Sequence, residues 1–197
     1  TPLMHCLGCV IGVLSCVNHG ATMVLTETCS PRVVLRTLHD ERCTGLCGVP
    51  SLYQALLRLR ELPDCDLSHM RTGVMAGSLC PERLVRESMQ RLHMPELSIC
   101  YGLTEASPII TQTLVHDAMS IRTGSVGRPL PGIEVSVRHS LSGEALPPGE
   151  TGEVCCRGRN VMNGYCSMPE DTARAVDKDG WLHTGDLGVL DNYGVLR

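Results

Sequence analysis

The 197-residue chain contains no phenylalanine and one tryptophan, Trp181. Leu, Met and Cys must therefore fill its core, and the last two are adaptable fillers. Lysine is nearly absent too: of the 17 cationic residues only Lys178 is a lysine. No basic excess exists, because the net charge is −4 and the pI is near 6.0. That balance gives no electrostatic footprint for nucleic acid. No apolar run reaches the ~18 residues needed to span a bilayer. The opening stretch, Thr1 to Ala21, is apolar, but His5, Asn18 and His19 interrupt it and no basic segment precedes it. These features argue against a signal peptide or membrane anchor. Internal repeats and low-complexity tracts are also lacking. What remains, 43% hydrophobic and 19% charged residues, reads as a globular chain rather than a disordered one.

Cysteine is the exception to this scarcity, with 12 residues. Such a count first suggests a disulfide or metal framework. Cys6-Leu7-Gly8-Cys9 has the spacing of a zinc or redox pair, yet no second pair at matching spacing follows. Cys6, Cys9 and Cys16 lie in an apolar stretch, Cys47 and Cys100 at the ends of expected strands, and Cys155 and Cys156 are adjacent. The expectation is of buried, reduced thiols acting as small hydrophobes in an intracellular, reducing compartment, cytoplasm or mitochondrial matrix.

Periodicity divides the chain in two. Ala21 to Thr26 reads as a strand. Ser30-Pro31 supplies an N-cap and a proline at the first helical position, opening a helix to about Arg42. Thr44 to Val49, Arg71 to Ala76 and Leu97 to Tyr101 read as buried strands. Between them, helices open at Pro50 and Pro81, the first with Leu52, Ala55, Leu56 and Leu59 on one face and the second with Leu84, Val85, Ser88 and Leu92. Strands separated by helices imply a parallel sheet with right-handed crossovers. This pattern predicts an α/β subdomain over residues 1–117. After His116, Gly and Pro become dense and the segments alternate, with Ile133, Val135 and Val137 on one face. Ser142-Gly143 and Asn192-Tyr193-Gly194 look like hairpin turns, and only Pro169 to Val176 reads as a helix. A small antiparallel, barrel-like β subdomain is expected over 118–197.

Tyr101-Gly102-Leu103-Thr104-Glu105, just after a strand, is the strongest chemical signal. Ligands of parallel sheets bind beyond the carboxyl ends of strands. Gly102 would let a planar ring approach the backbone, Thr104 offers a hydroxyl to a phosphate, and Glu105 is a hard carboxylate suited to Mg²⁺. A merely solvated polar loop is the competing reading. Ala76-Gly77-Ser78 also ends a strand, where small residues permit a ring or phosphate to pack on backbone, although helix-opening loops often look the same. In Trp181-Leu182-His183-Thr184-Gly185-Asp186, a carboxylate beside glycine can accept two hydrogen bonds from a ribose diol; an Asp in a plain turn is the alternative. Gly152-Glu153, Arg157-Gly158 and Gly164-Tyr165 favour a structural role.

In order along the chain, these residues resemble the adenylate-forming superfamily. Pro2-Leu3-Met4-His5 with Gly8 is similar to its Pro-Leu-Phe-His-x-x-Gly element, with Met4 in place of Phe. Tyr101 to Glu105 matches Tyr-Gly-x-Thr-Glu. Gly152-Glu153, Arg157-Gly158, Met162 and Gly164-Tyr165 match its Gly-Glu-…-Arg-Gly-…-Met-x-Gly-Tyr segment. Trp181 with Thr184-Gly185-Asp186 matches Trp-x-x-Thr-Gly-Asp. Met75-Ala76-Gly77-Ser78 and Thr104-Glu105-Ala106-Ser107-Pro108 look most like medium- or long-chain fatty acyl-CoA synthetases.

The resemblance implies activation of a fatty acid by ATP to acyl-AMP and pyrophosphate, followed by displacement of AMP by coenzyme A. It implies that Glu105 holds Mg²⁺ and Thr104 the α-phosphate. Tyr101, Gly102 and Leu103 would form the nucleotide loop, with Tyr101 and Gly102 on adenine together with Gly77 and Ser78. Asp186 would take the ribose, and His5 would border the acyl pocket. It further implies that a phosphate loop upstream, a hinge downstream and a C-terminal lid domain with a catalytic lysine lie outside these residues. The isolated chain is accordingly expected to be inactive. An amino-acid adenylation fragment of a peptide synthetase and a non-catalytic nucleotide-binding remnant are the rival readings.

Overall fold

The structure is a computed structural model describing residues 1–197. Two units divide the chain, Thr1–Ile99 with Val115–Gly124, and Cys100–Leu114 with Ser125–Arg197.

In the first unit the expected alternation of strand and helix is present. Strands β1 (Gly45–Gly48), β2 (Thr72–Met75) and β3 (Glu96–Tyr101) run parallel in the order β1-β2-β3. Helices α2 (Pro31–Asp40), α3 (Pro50–Leu57) and α4 (Glu82–Arg91) connect and cover them. Pro31 and Pro50 stand in the first turn of their helices, where the missing N–H costs nothing. Buried Leu35, Leu56, Met75, Val85, Leu92, Met94, Leu97 and Ile99 form the core, so Leu and Met do take the space phenylalanine would fill. Tyr53 on α3, the one aromatic of this core, is completely buried. Its hydroxyl donates to the carbonyls of Leu46 on β1 (2.8 Å) and Val74 on β2 (3.2 Å). Burial makes that partner necessary, since an unpaired buried hydroxyl is costly.

The apolar opening forms a π-type run over Leu7–Leu14 that continues as α1 (Ser15–His19). Two features of this unit depart from expectation. Ala21 to Thr26 has no ladder partner and is largely exposed. A strand is defined by its neighbour, and β1, at the sheet edge, pairs only with β2. A short helix, α5 (Met119–Gly124), stands where none was expected. Six residues ending in glycine carry no readable period; the helix is held by Arg122, whose guanidinium donates to the carbonyl of Leu97 at 3.2 Å.

The second unit is β-rich. The last residues of β3 pair antiparallel with β4 (Thr111–Gln112), which pairs with β5 (Arg128–Pro129). Strands β6 (Ile133–Arg138), β7 (Thr151–Gly158) and β8 (Leu182–Val189) make a three-stranded antiparallel sheet. Helix α6 (Pro169–Ala175) lies between β7 and β8 in sequence. Both expected hairpin turns are present, with Gly143 and Gly194 at positive φ and antiparallel bridges at Arg138–Ala145 and Leu190–Leu196. One face of β7 sends Val154 to a cluster with Val137 and Leu196, and Cys156 to another with Ala106, Ile110 and Leu182.

None of the 12 cysteines is in a disulfide. Cys100, Cys155 and Cys156 are buried, whereas Cys9, Cys29 and Cys166 are exposed and six are intermediate. Only three of the thiols serve as fully buried core, fewer than the burial expected of them. No helix is long and apolar enough to cross a membrane.

Candidate nucleotide site

The tyrosine-headed loop begins where β3 ends. The Tyr101 carbonyl accepts the Ile110 N–H at 2.8 Å, so the chain folds back on itself within ten residues. A Cβ on Gly102 would run into the Pro108 carbonyl oxygen, which is why the second position is glycine. Thr104–Ala106 then forms a single 3₁₀ turn. Its inner residue, Ala106, is fully buried against Ile110, Cys156 and Leu182, while Tyr101 and Leu103 pack on the same cluster. Thr104 stays exposed and Glu105 half-buried.

A second segment supports this loop. The Met162 N–H donates to the Glu105 carbonyl at 2.8 Å, and the Asn160 amide donates to the Ala106 carbonyl at 3.1 Å. The Tyr165 hydroxyl donates to Glu105 Oε1 at 2.8 Å. Donating that bond to a carboxylate favours the neutral phenol, and with burial it raises the Tyr165 pKa. One oxygen of Glu105 is therefore occupied by a hydrogen bond. A single hard carboxylate of this kind suits Mg²⁺, which keeps several waters and binds through one or two carboxylates plus phosphate.

Asp186 is presented by a bulge. Glu153 pairs with Leu187 and Cys155 with His183, so Thr184, Gly185 and Asp186 together oppose Val154. The Thr184 hydroxyl donates to the Val154 carbonyl at 2.7 Å and accepts the Asp186 N–H at 3.1 Å. Gly185 adopts φ +74°, a conformation glycine takes without a Cβ penalty. Glu153 closes the bulge: its Oε1 accepts the Gly185 N–H at 3.1 Å. The Gly-Glu and Thr-Gly-Asp elements, apart in sequence, thus make one structural unit. Gly152 belongs to it as well, since a Cβ there would collide with the Arg138 carbonyl oxygen.

The loop and the bulge meet directly. The Tyr101 hydroxyl donates to Asp186 Oδ2 at 2.8 Å. Burial and this acceptor raise the Tyr101 pKa, so the phenol remains a donor throughout the physiological range. The bond fixes one oxygen of an exposed carboxylate and leaves the other free.

A protein-family model described as AMP-binding enzyme matches residues 1–166. The chain belongs to the AMP-binding enzyme family. Among the relatives of this AMP-binding chain, the putative acyl-CoA synthetase YngI of Bacillus subtilis (strain 168) is 43% identical over all of the chain and 36% of its own length. The mitochondrial medium-chain acyl-CoA ligase ACSF2 of Rattus norvegicus is 36% identical over 100% of the chain and 32% of its own length. The chain therefore spans about a third of the length of these relatives. Among solved structures, ATP-bound MatB from Rhodopseudomonas palustris superposes with a TM-score of 0.89 at 28% identity, covering 100% of this chain and 38% of that one.

Of the sequence-selected residues, Tyr101, Gly102, Leu103, Thr104, Glu105 and Asp186 fall in the second unit; His5, Gly77 and Ser78 fall in the first. Gly77 takes φ +90° after β2, and Ser78 is exposed. His5 is exposed, and its Nδ1 accepts the Leu7 N–H at 3.1 Å. A Cβ on Gly8 would strike the Pro2 carbonyl oxygen, which accounts for the spacing of glycine after His5. A cleft of about 650 Å³ in the same unit is lined by Leu3, Leu7, Gly8, Val24, Leu38 and Leu46 among others, but not by His5. Sequence reasoning missed the roles of Tyr165, Asn160 and Glu153. Their motifs were visible, but their partners lie 60, 54 and 32 residues away.

Proposed function

We propose that this chain forms the adenine-, ribose- and magnesium-binding part of an ATP-dependent fatty acyl-CoA ligase. The observation that supports it is the Tyr101–Asp186 hydrogen bond, which joins the two carboxylate-bearing motifs within one unit. In this reading residues 1–117 contribute nucleotide- and acyl-binding surface, and residues 118–197 contribute the ribose carboxylate. The Tyr101 ring and the bare backbone of Gly102 pack on adenine, and Leu103 backs them. Asp186, oriented by Tyr101 and the bulge, accepts the ribose hydroxyls. Thr104 donates to the α-phosphate, Glu105 holds the cation, and His5 borders the fatty acid. When bound, Mg²⁺ supplies neutralisation of phosphate charge during attack by the acid carboxylate. Positioning and charge compensation carry most of such nucleotidyl transfer, so the two tyrosines matter because they orient the carboxylates before ATP arrives. Acyl-AMP and coenzyme A would then give the thioester and AMP.

The chain's one lysine, Lys178, is exposed in the Asp177–Asp179 turn. We therefore propose that the chain by itself binds nucleotide without turnover. Titration with ATP and Mg²⁺ should show saturable binding that Asp186→Ala weakens at least about tenfold, two hydrogen bonds to a charged group being worth ~1.5–3 kcal/mol each. Equal affinity of the variant would remove the ribose assignment. Fatty-acid-dependent pyrophosphate exchange by the chain alone would contradict the absence of turnover.

A further inference from the structure

Behind the bulge lies a cluster with a different chemistry. Glu153 and Cys155 are alternate residues of β7, and His183 pairs with Cys155 across the β7–β8 ladder. His183 Nδ1 sits 2.9 Å from Glu153 Oε2 and 3.6 Å from Cys155 Sγ. One donor atom from each of the three lies within 4.8 Å of the others. Cys155 is fully buried, and the side chains of Glu153 and His183 are only 18% and 27% exposed.

We propose that Glu153, Cys155 and His183 hold a divalent transition-metal ion of the zinc class, with a fourth position open to water. The donor set is one nitrogen, one sulfur and one carboxylate oxygen, all zinc ligands. Tetrahedral bonds of about 2.3 Å to sulfur and about 2.0–2.1 Å to nitrogen place those two atoms about 3.6 Å apart, the separation present here. The nitrogen–oxygen distance would open from 2.9 Å to about 3.3 Å by the same geometry, a shift within a side-chain torsion of Glu153. Metal-bound histidines usually direct their other nitrogen to a carboxylate that fixes the ring. His183 Nε2 faces Asp177 Oδ2 at 3.7 Å. Glu153 is oriented in turn through the Gly185 N–H. Burial pushes the Cys155 thiol up to about 12, so uptake at neutral pH exchanges the thiol proton for the ion: the S–H bond breaks, the metal–sulfur bond forms, and the proton passes to solvent.

The test is titration of the full chain with Co²⁺, whose thiolate complexes absorb in the near ultraviolet. The proposal expects a charge-transfer band saturating at one equivalent, with the apparent affinity at least tenfold weaker in both Cys155→Ser and His183→Gln. Eleven other thiols compete, so the variants decide the assignment. A band unchanged in both variants places the ion elsewhere, for instance at Cys6 and Cys9, and overturns the proposal; so does the absence of any band. If Cys155→Ser does not fold, His183→Gln, at a half-buried position, decides alone by the same criterion.

Discussion

The two units keep their chemistry in place by different means. In the first, shape is local: helices begin at prolines, strands read as short apolar runs, and the residues of interest are backbone features. Gly8 and Gly77 are there because a side chain would clash or the φ is positive. In the second, side chains tie distant segments together: Tyr101 to Asp186, Tyr165 to Glu105, Asn160 to Ala106, Glu153 to Gly185. A β-rich unit with short strands has little helix to fix its loops, so polar cross-links set their geometry. The lesson is that the α/β unit holds its loops by backbone conformation and the β unit by polar side-chain cross-links.

The largest effect should come from cutting the cross-link that serves the bulge. Glu153→Ala removes the acceptor of the Gly185 N–H and the partner of His183, and should destabilise the second unit by about 1.5–3 kcal/mol, as for hydrogen bonds to charged groups. Urea unfolding followed at Trp181 would read this, and ATP affinity should fall with it although Glu153 is not assigned to ATP. Unchanged affinity would separate the bulge from the nucleotide.

Tyr53→Phe is the matching cut in the first unit. It leaves two buried carbonyls short of a donor, at a cost of about 1–2 kcal/mol, with little change in the β unit. The same variant carries a pH signature. Burial raises the Tyr53 pKa well above its ordinary value, so above pH ~10 the unfolded chain has lost a proton the folded chain retains, and stability falls as pH rises. In Tyr53→Phe that alkaline loss should be shallower, which thermal melts between neutral and alkaline pH would show.

The smallest effect is a gain. A Cβ on Gly124, at the end of α5, meets nothing within 4 Å, and its φ is not positive. Gly124→Ala should therefore stabilise by about 0.4–1 kcal/mol through the unfolded chain, visible as a modest rise in Tm. A loss of stability would mean that α5 depends on the freedom of that glycine.

This contrast also explains what the sequence could tell. Pro31 and Pro50 announce α2 and α3, and the runs before Val49, Ala76 and Tyr101 announce β1 to β3, because each signal is contained in ten residues. Ala21 to Thr26 has the same composition but no partner strand, a fact no local pattern contains. Helix α5 depends on Arg122 reaching the carbonyl of Leu97, which is equally invisible. At the candidate site the motifs themselves were legible, residue by residue. That Tyr165 would engage Glu105, and Glu153 the backbone of Gly185, needed the fold.

The three-against-one mismatch between β7 and β8 has a consequence for how this segment can change length. Side chains alternate faces along a strand, so dropping a single residue from Thr184-Gly185-Asp186 would turn over everything beyond it and send Val189 or Leu182 to the wrong side. Dropping two would restore a flat, regular ladder with every facing preserved, and would erase the platform on which the carboxylate stands. Such a deletion would leave a well-folded sheet in which the carboxylate is no longer presented, a distinction that stability measurements alone would never reveal.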